Sequence, residues 1–506
     1  MPTPQDTLDI LRGMREQSGA SSSPGLPDAV IERFAAGDGL LRQAVAEAAE
    51  SHRRFRRELP DTAGLDEAEQ VRRLQRGYLN FYPDDLVNPY VALAARGPWI
   101  VTSMGAVIHD SGGYGMLGLG HSPEAVLDAM SEPRVMANVM TASPSQPRLI
   151  GALEAEIGHR RAGACPFEHF VCLNSGSEAM TFASRLADIH AKQITDPGGS
   201  RDGASIRTLA LEGGFHGRTS RPAQVSDSTA CYYRDNLASF RGHNALTVPA
   251  NDVGRLRHLY ALADDEGWFI EAFYMEPVMG EGNPGKAVTR EFYDAARALS
   301  RAHGSLLVID SIQAGLRAHG CLSIVDYPGF EDADPPDVET YSKALNAGQY
   351  PLSVVAMTAR AAAMYRRGVY GNTMTTNPRA LEVALAVLSS LTGELRENIR
   401  SRGAELLAKL EHVASDLDGP IAAVQGTGLL VSCAFEPAIR SHGSGSVEEE
   451  MRRNGVGVIH GGANSVRYTP HFAVTSPEID LIVEATRAAV ASRLTPAGGE
   501  AYIPPR

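Results

Sequence analysis

The sequence predicts an α/β protein with a large domain on a mostly parallel sheet, a smaller α+β domain and a helical N-terminal extension. Three observations predict it. Short apolar runs alternate with longer helical stretches from Trp99 to about residue 395, the pattern of a parallel sheet covered on both faces. Past residue 395 the pattern changes to one long helix, a glycine-flanked strand and a last helix. Before residue 76 the patterning is helical only.

Taken in order, residues 1–75 read as the extension. A Ser/Pro-rich break at Ser21-Ser22-Ser23-Pro24 precedes helical patterning through Leu40, Leu41, Ala44 and Val45, which runs on to the basic Arg53-Arg54-Phe55-Arg56-Arg57. Residues 76–130 are assigned to the N-terminal part of the small domain, 131–395 to the large domain and 396–506 to the C-terminal part of the small one. The expected strands are Phe170-Val171-Cys172-Leu173, Thr208-Leu209-Ala210-Leu211, Phe273-Tyr274-Met275, Leu306-Leu307-Val308-Ile309 and Val354-Val355-Ala356-Met357. The C-terminal part contributes a strand over Thr427-Gly428-Leu429-Leu430-Val431 and a helix over residues 476–493.

Composition narrows the function. The charge sum of 47 − 60 = −13, with no extended basic cluster, excludes a nucleic-acid partner. Cys165, Cys172, Cys231, Cys321 and Cys433 show no CxxC spacing, so neither disulfides nor a metal site is expected, and a reducing cytoplasm is. Residues 1–22 are polar, and no apolar run reaches the ~18 residues a membrane span needs.

Ligands of such sheets bind beyond the carboxyl ends of the strands, so the residues following each run are the candidates. The first run ends in Asn174-Ser175-Gly176-Ser177-Glu178, a tight turn opening a helix, which can cradle a phosphate or be an ordinary N-cap. The second leads to Gly213-Gly214-Phe215-His216-Gly217-Arg218, where Phe215 can stack on a flat ring or pack in the core. Val308-Ile309-Asp310 ends a buried strand in a carboxylate. Such a group needs a partner, and a protonated pyridine nitrogen is one; an N-cap is the alternative. Val338-Glu339-Thr340-Tyr341-Ser342-Lys343 sets a lysine after another extended run. Taken singly, a lysine is usually a solvated surface group.

The order of phosphate turn, aromatic stacker, strand-end aspartate and lysine resembles the class III aminotransferases, the ornithine, 4-aminobutyrate and lysine ε-type enzymes. The likeness spans about residues 85–490 and rests on residues 174–179, Phe215-His216-Gly217-Arg218-Thr219, Glu276-Pro277-Val278-Met279-Gly280-Glu281-Gly282, residues 310–315, Ser342-Lys343-Ala344-Leu345, and Gly371-Asn372-Thr373 through Asn377-Pro378. It implies the PLP-dependent transferase fold of type I, with pyridoxal 5′-phosphate (PLP) bound to Lys343 as a Schiff base. Asp310 would then face the pyridine nitrogen and Gln313 the phenolic oxygen. Ser175, Gly176 and Ser177 would hold the phosphate, with Phe215 and His216 beside the ring. Thr373 would reach the cofactor of a second subunit in a homodimer. The resemblance further implies that Glu281 and Arg467 form a salt-bridge switch and that Arg218 binds a substrate carboxylate.

The implied reaction is ping-pong transfer of the terminal amine of an ω-amino acid such as 4-aminobutyrate, ornithine or lysine to 2-oxoglutarate. A racemase or epimerase, a lyase or an aminomutase is the alternative within the same fold, and a catalytically dead binding protein is the alternative outside it. Three departures from the family pattern are expected to alter pocket polarity and shape. Ser311 stands where Glu is usual, Asn346-Ala347-Gly348 replaces three glycines ahead of a longer Gln349-Tyr350-Pro351, and Thr375-Thr376 replaces paired glycines.

Overall fold

The computed structural model describes residues 2–112, 115–242 and 244–494. Five helices, Pro4–Glu16, Asp28–Gly37, Gly39–Glu58, Pro60–Ala63 and Glu67–Gln75, form the N-terminal segment, with the Ser/Pro break between the first two. They are not a detached appendage. Helix Gly39–Glu58 buries Leu41, Ala44, Val45 and Ala48 along one face at helical spacing, and these join the main hydrophobic core. Arg96 donates to Glu47 at 2.8 and 3.0 Å, and Trp99 Nε1 donates to Asp38 at 2.6 Å, pinning the helix to the strands beneath it.

Those strands are β1 (Ala92–Arg96), β2 (Trp99–Thr102) and β3 (Val107–Asp110), an antiparallel meander that the sequence reading had not resolved. The central sheet holds β4 (His169–Leu173), β5 (Ser205–Leu211), β6 (Ala245–Val248), β7 (Trp268–Met275), β8 (Leu306–Asp310), β9 (Val338–Tyr341) and β10 (Ser353–Met357). Their order is β4-β10-β9-β8-β7-β5-β6. All neighbours run parallel except around β10, which is antiparallel to both β4 and β9. Every residue of β8, β9 and β10 is buried, as helices on both faces require, which is why these strands read as apolar runs rather than alternating ones. Of the seven, β6 has no counterpart among the expected strands, and β9 corresponds to the extended run ahead of Lys343.

The C-terminal sheet contains β11 (Ile421–Thr427), β12 (Leu430–Phe435), β14 (Ile459–Gly461) and β15 (Ser465–Tyr468), in the antiparallel order β11-β12-β15-β14. The expected single strand over Thr427 to Val431 is instead the turn of a hairpin. Gly428 sits at φ +56°, and a Cβ there would lie 1.9 Å from Ala318 O, so only glycine lets the chain reverse at that point. β13 (Val456–Gly457) leaves this region to pair in parallel with β3, joining the two ends of the chain in one sheet. Glu478, near the start of the last helix Ser476–Ala491, reinforces the joint by accepting from His109 at 3.1 Å and His471 at 3.0 Å. Residues 495–506, the end of the expected C-terminal part, lie outside the described residues. No described helix is long and apolar enough to cross a membrane.

Candidate active site

The carboxyl ends of β4, β5, β8 and β9 converge on one cavity of about 390 Å³. Each strand supplies residues at or just past its carboxyl end. Ser175, Gly176 and Ser177 come from the end of β4, Phe215 and His216 from β5, Asp310 and Gln313 from β8, and Lys343 from β9. Met116 and the loop carrying Asn346, Gly348, Gln349, Tyr350 and Pro351 complete the wall.

Ser175 is indeed an N-cap: its Oγ accepts from Glu178 N at 3.2 Å, starting the helix Gly176–Thr195. That use leaves the N–H groups of Gly176 and Ser177 at the first turn, where the helix dipole favours an anion. A Cβ on Gly176 would meet Ile312 Cδ1 at 2.9 Å, so a side chain there would displace the Ile312 tip.

Asp310 is buried, 4 % exposed, and held from several sides. Its Oδ2 accepts from His216 Nδ1 at 2.9 Å and its Oδ1 from Ile312 N at 3.1 Å. Behind His216, Glu276 at the end of β7 accepts from Phe215 N and Gly280 N, both at 2.9 Å, and so fixes the loop that presents Phe215. Burial raises Glu276 to about 7, against the pull of His216. Glu276 was visible in sequence as a carboxylate after an apolar strand, the same signal as Asp310, yet it had been given no role.

Lys343 has φ +42°, a left-handed conformation that a residue with a side chain adopts only under constraint, at a cost of about 1–3 kcal/mol. Burial, followed by the positive charge of Arg467, lowers its amine to about 8, while Glu281, Asp310 and Glu276 act in the opposite sense. A larger share of neutral, nucleophilic amine results near neutral pH than an ordinary lysine has.

The substrate-side residues lie around this cavity rather than lining it. Arg467 is 1 % exposed, so its pairing with Glu281, Nη1 to Oε2 at 3.2 Å, is no surface ion pair. The same Nη1 donates to Gly280 O and, at 3.2 Å, to Gln313 Oε1. Burial pushes the Glu281 carboxyl up, but Arg467, Lys343 and Arg218 together hold it below its usual range. Arg218 is exposed, its guanidinium between the rings of Phe81 (5.1 Å) and Phe215 (4.9 Å). No sequence pattern points to Phe81 as this contact. Thr373 is exposed and away from the cavity of its own chain.

One expectation about the departures needs correcting. Ser311 does not reach the cavity; it follows Asp310 onto the opposite side of the strand end, where its Oγ donates to Glu339 Oε1 at 2.5 Å. Ser323 Oγ and Ile324 N donate to the same buried carboxylate. Pocket polarity is altered instead by Asn346, Gln349 and Tyr350. The other two departures carry strain, since Ala347 (φ +53°) and Thr376 (φ +62°) hold left-handed conformations natural to the glycines they replace.

The cavity fits PLP. It offers a helix start for a phosphate, an aromatic face, a buried carboxylate and an amine. Two buried polar atoms beside it, Gln313 Nε2 and His216 Nε2, have no partner within the protein.

Comparison with known proteins agrees with this geometry. Residues 82–490 match the class III aminotransferase family. The chain is 28% identical over 404 residues to the acetylornithine aminotransferase of Neisseria meningitidis serogroup B, covering 78% of this chain and 93% of that one. It is 30% identical over 375 residues to the acetylornithine aminotransferase of Vibrio parahaemolyticus, covering 73% and 85%. Among solved structures, an ornithine aminotransferase from Toxoplasma gondii with partial occupancy of PLP superposes with a TM-score of 0.71 at 24% identity, over 84% of this chain and 96% of that one. With that family match spanning most of its length, the chain belongs to the class III aminotransferases, enzymes that use PLP.

Proposed function

We propose that this aminotransferase moves the terminal amine of an ω-amino acid to 2-oxoglutarate, with Lys343 as the residue that carries PLP and then shuttles the substrate proton. The observation that carries the reading is the meeting, in one cavity, of a lysine lowered to about 8 with a buried, multiply bonded Asp310, next to the closed Glu281–Arg467 pair. The acetylornithine aminotransferases it resembles suggest ornithine-like donors; 4-aminobutyrate and lysine share the distal amine.

Each residue has a part that follows from its surroundings. Asp310, fixed by His216, would hold a proton on the ring nitrogen of bound PLP. Gly176 and Ser177 would hold the phosphate through their N–H groups, and Phe215 would offer its face to the ring. PLP, when bound, is an electron sink for the pair left behind when a proton leaves the amine-bearing carbon. The Lys343 amine, near neutral, would serve as the base that takes up that proton and gives it back. While Glu281 neutralises Arg467 a neutral chain with a distal amine is accommodated; when Glu281 turns away, Arg467 binds the carboxylate of 2-oxoglutarate.

The reading includes a homodimer in which Thr373 serves the neighbouring phosphate. Supporting it, Thr373 is flanked by exposed Met374, and Val139 N bonds to Thr375 O at 3.1 Å, bringing exposed Val139 and Met140 to the same face. A patch of this kind on a lone chain calls for a cover.

Lys343→Ala tests the reading. It should eliminate both the yellow bound cofactor and turnover, and retained transamination would end it. In the wild type, donor without acceptor should give one equivalent of oxo product per site and stop; a racemase would give none.

A further inference from the structure

Arg317 is a charge the proposed reaction does not use. It is completely buried, in the chain segment that follows Gln313. One end of its guanidinium is anchored, with Nη1 donating to Pro470 O at 2.5 Å and Leu429 O at 3.2 Å, and the Phe472 ring lies 5.1 Å from its centre. The other end is not. Nε and Nη2 have no hydrogen-bond partner, and no carboxylate among the described residues forms an ion pair with Arg317. Burial, then the positive charge of Arg467, draws Arg317 down to about 9, with only Asp110 opposing. An unpaired buried cation is among the costliest arrangements a protein can hold, so a site that keeps one is set up for an anion.

The geometry gives that anion a position. Arg467 makes its bonds to Gly280, Glu281 and Gln313 through Nη1, and its Nε is also buried without a partner. Gly115 lies beside Arg317 and Gln313, where a methyl built on it would stand 3.7 Å from Arg317 Nε and 4.0 Å from Gln313 Oε1. Gln313 and Met116, the neighbour of Gly115, both line the main cavity. The recess is therefore next to Lys343's cavity, with Gln313 shared between the two.

We propose that Arg317 is a substrate-binding residue, forming with Arg467 a two-arginine recess for one carboxylate of the substrate. The inference rests on the aminotransferase reading and deepens it. Arg317 Nε, Arg317 Nη2 and Arg467 Nε are three buried N–H donors without an acceptor, which a carboxylate supplies. Arg317 adds its own N–H groups to those that Arg467 presents once Glu281 turns away. The substrate class that fits is an acyclic acid with a carboxylate at the end remote from the reacting carbon. Dicarboxylic 2-oxo acids and their amino counterparts are favoured over monocarboxylic acceptors such as pyruvate.

The test is calorimetric titration of the holoenzyme with glutarate, an unreactive dicarboxylate, comparing wild type, Arg317→Lys and Arg317→Gln. Arg317→Gln should raise the glutarate Kd at least tenfold, and Arg317→Lys, which keeps the charge but loses the fork, should fall between. An unchanged Kd in Arg317→Gln overturns the proposal. Because Arg317 also ties Leu429 and Pro470, a variant that does not fold is replaced by a crystal of wild-type holoenzyme soaked in glutarate. Carboxylate density within hydrogen-bond distance of Arg317 Nε or Nη2 supports the recess; density on Arg467 or Arg218 alone overturns it. These results are separate from those of Lys343→Ala. If that change abolishes transamination while Arg317→Gln binds glutarate normally, only the recess falls.

Discussion

The floor of the cavity and its arginine side are built on different principles. On the floor, Asp310, His216, Phe215 and Glu276 are tied to one another through bonds of 2.9 Å, so each is located from more than one direction. On the arginine side, Arg467 hangs on one terminal nitrogen, Arg317 on another, and Arg218 on two ring faces. Arg467 Nε and Arg317 Nε and Nη2 are left without a partner in the protein. A group that must hold one cofactor through both halves of a reaction gains from over-determination. A group that meets donor and acceptor in turn gains from spare N–H capacity, because the two ligands differ in charge where they touch it.

The comparison can be broken at several points. The largest effect is expected from Asp310→Asn, which should keep bound cofactor yet cut kcat by about 10³-fold, the scale of losing a preorganised charge in a closed site. If steady-state assays show less than a tenfold loss, the floor is not what sets the chemistry. Next, Arg467→Ala should raise KM for 2-oxoglutarate by roughly 10²-fold through loss of a charge-assisted pair, with the cofactor absorbance unchanged. A change in that absorbance would mean that floor and arginine side are not separate.

A pH series sharpens the account of the floor. Lys343 is depressed to about 8, and only its neutral amine reacts with the aldehyde of PLP. Stopped-flow measurement of cofactor uptake by the apoprotein should show the rate rising close to tenfold per pH unit below that value and levelling above it. A rise continuing to the range of an ordinary lysine would contradict the assigned surroundings.

Smaller effects concern stability. Glu339→Val would strand Ser311, Ser323 and Ile324 N, at a cost of about 2 kcal/mol in denaturant unfolding. Thr376→Gly should do the reverse, gaining about 1 kcal/mol in the same unfolding measurement by removing a left-handed strain.

Much of the floor was legible in the sequence because its signals are local. An apolar strand followed by a polar group is a pattern, and four such patterns in one order point to a shared cavity. What stayed hidden depended on which way a side chain turns. Ser311 was assigned to the pocket, although strand geometry sends it to the opposite side from Asp310 and onto Glu339. Arg317 sits in Leu316-Arg317-Ala318, which has no motif, and the left-handed Leu316 (φ +65°) that redirects the chain there has no glycine to announce it. Gly428 was read as flanking a strand when it is the turn between two. The contact between Phe81 and Arg218 joins segments more than a hundred residues apart, and no spacing rule reaches that far.

The chain has only four lysines, Lys192, Lys286, Lys343 and Lys409, which makes the central claim directly testable. Holoenzyme reduced with borohydride, digested and analysed by mass spectrometry should carry the pyridoxyl phosphate mass on the peptide containing Lys343 and on no other. Label on Lys192, Lys286 or Lys409, or none at all, would contradict the account.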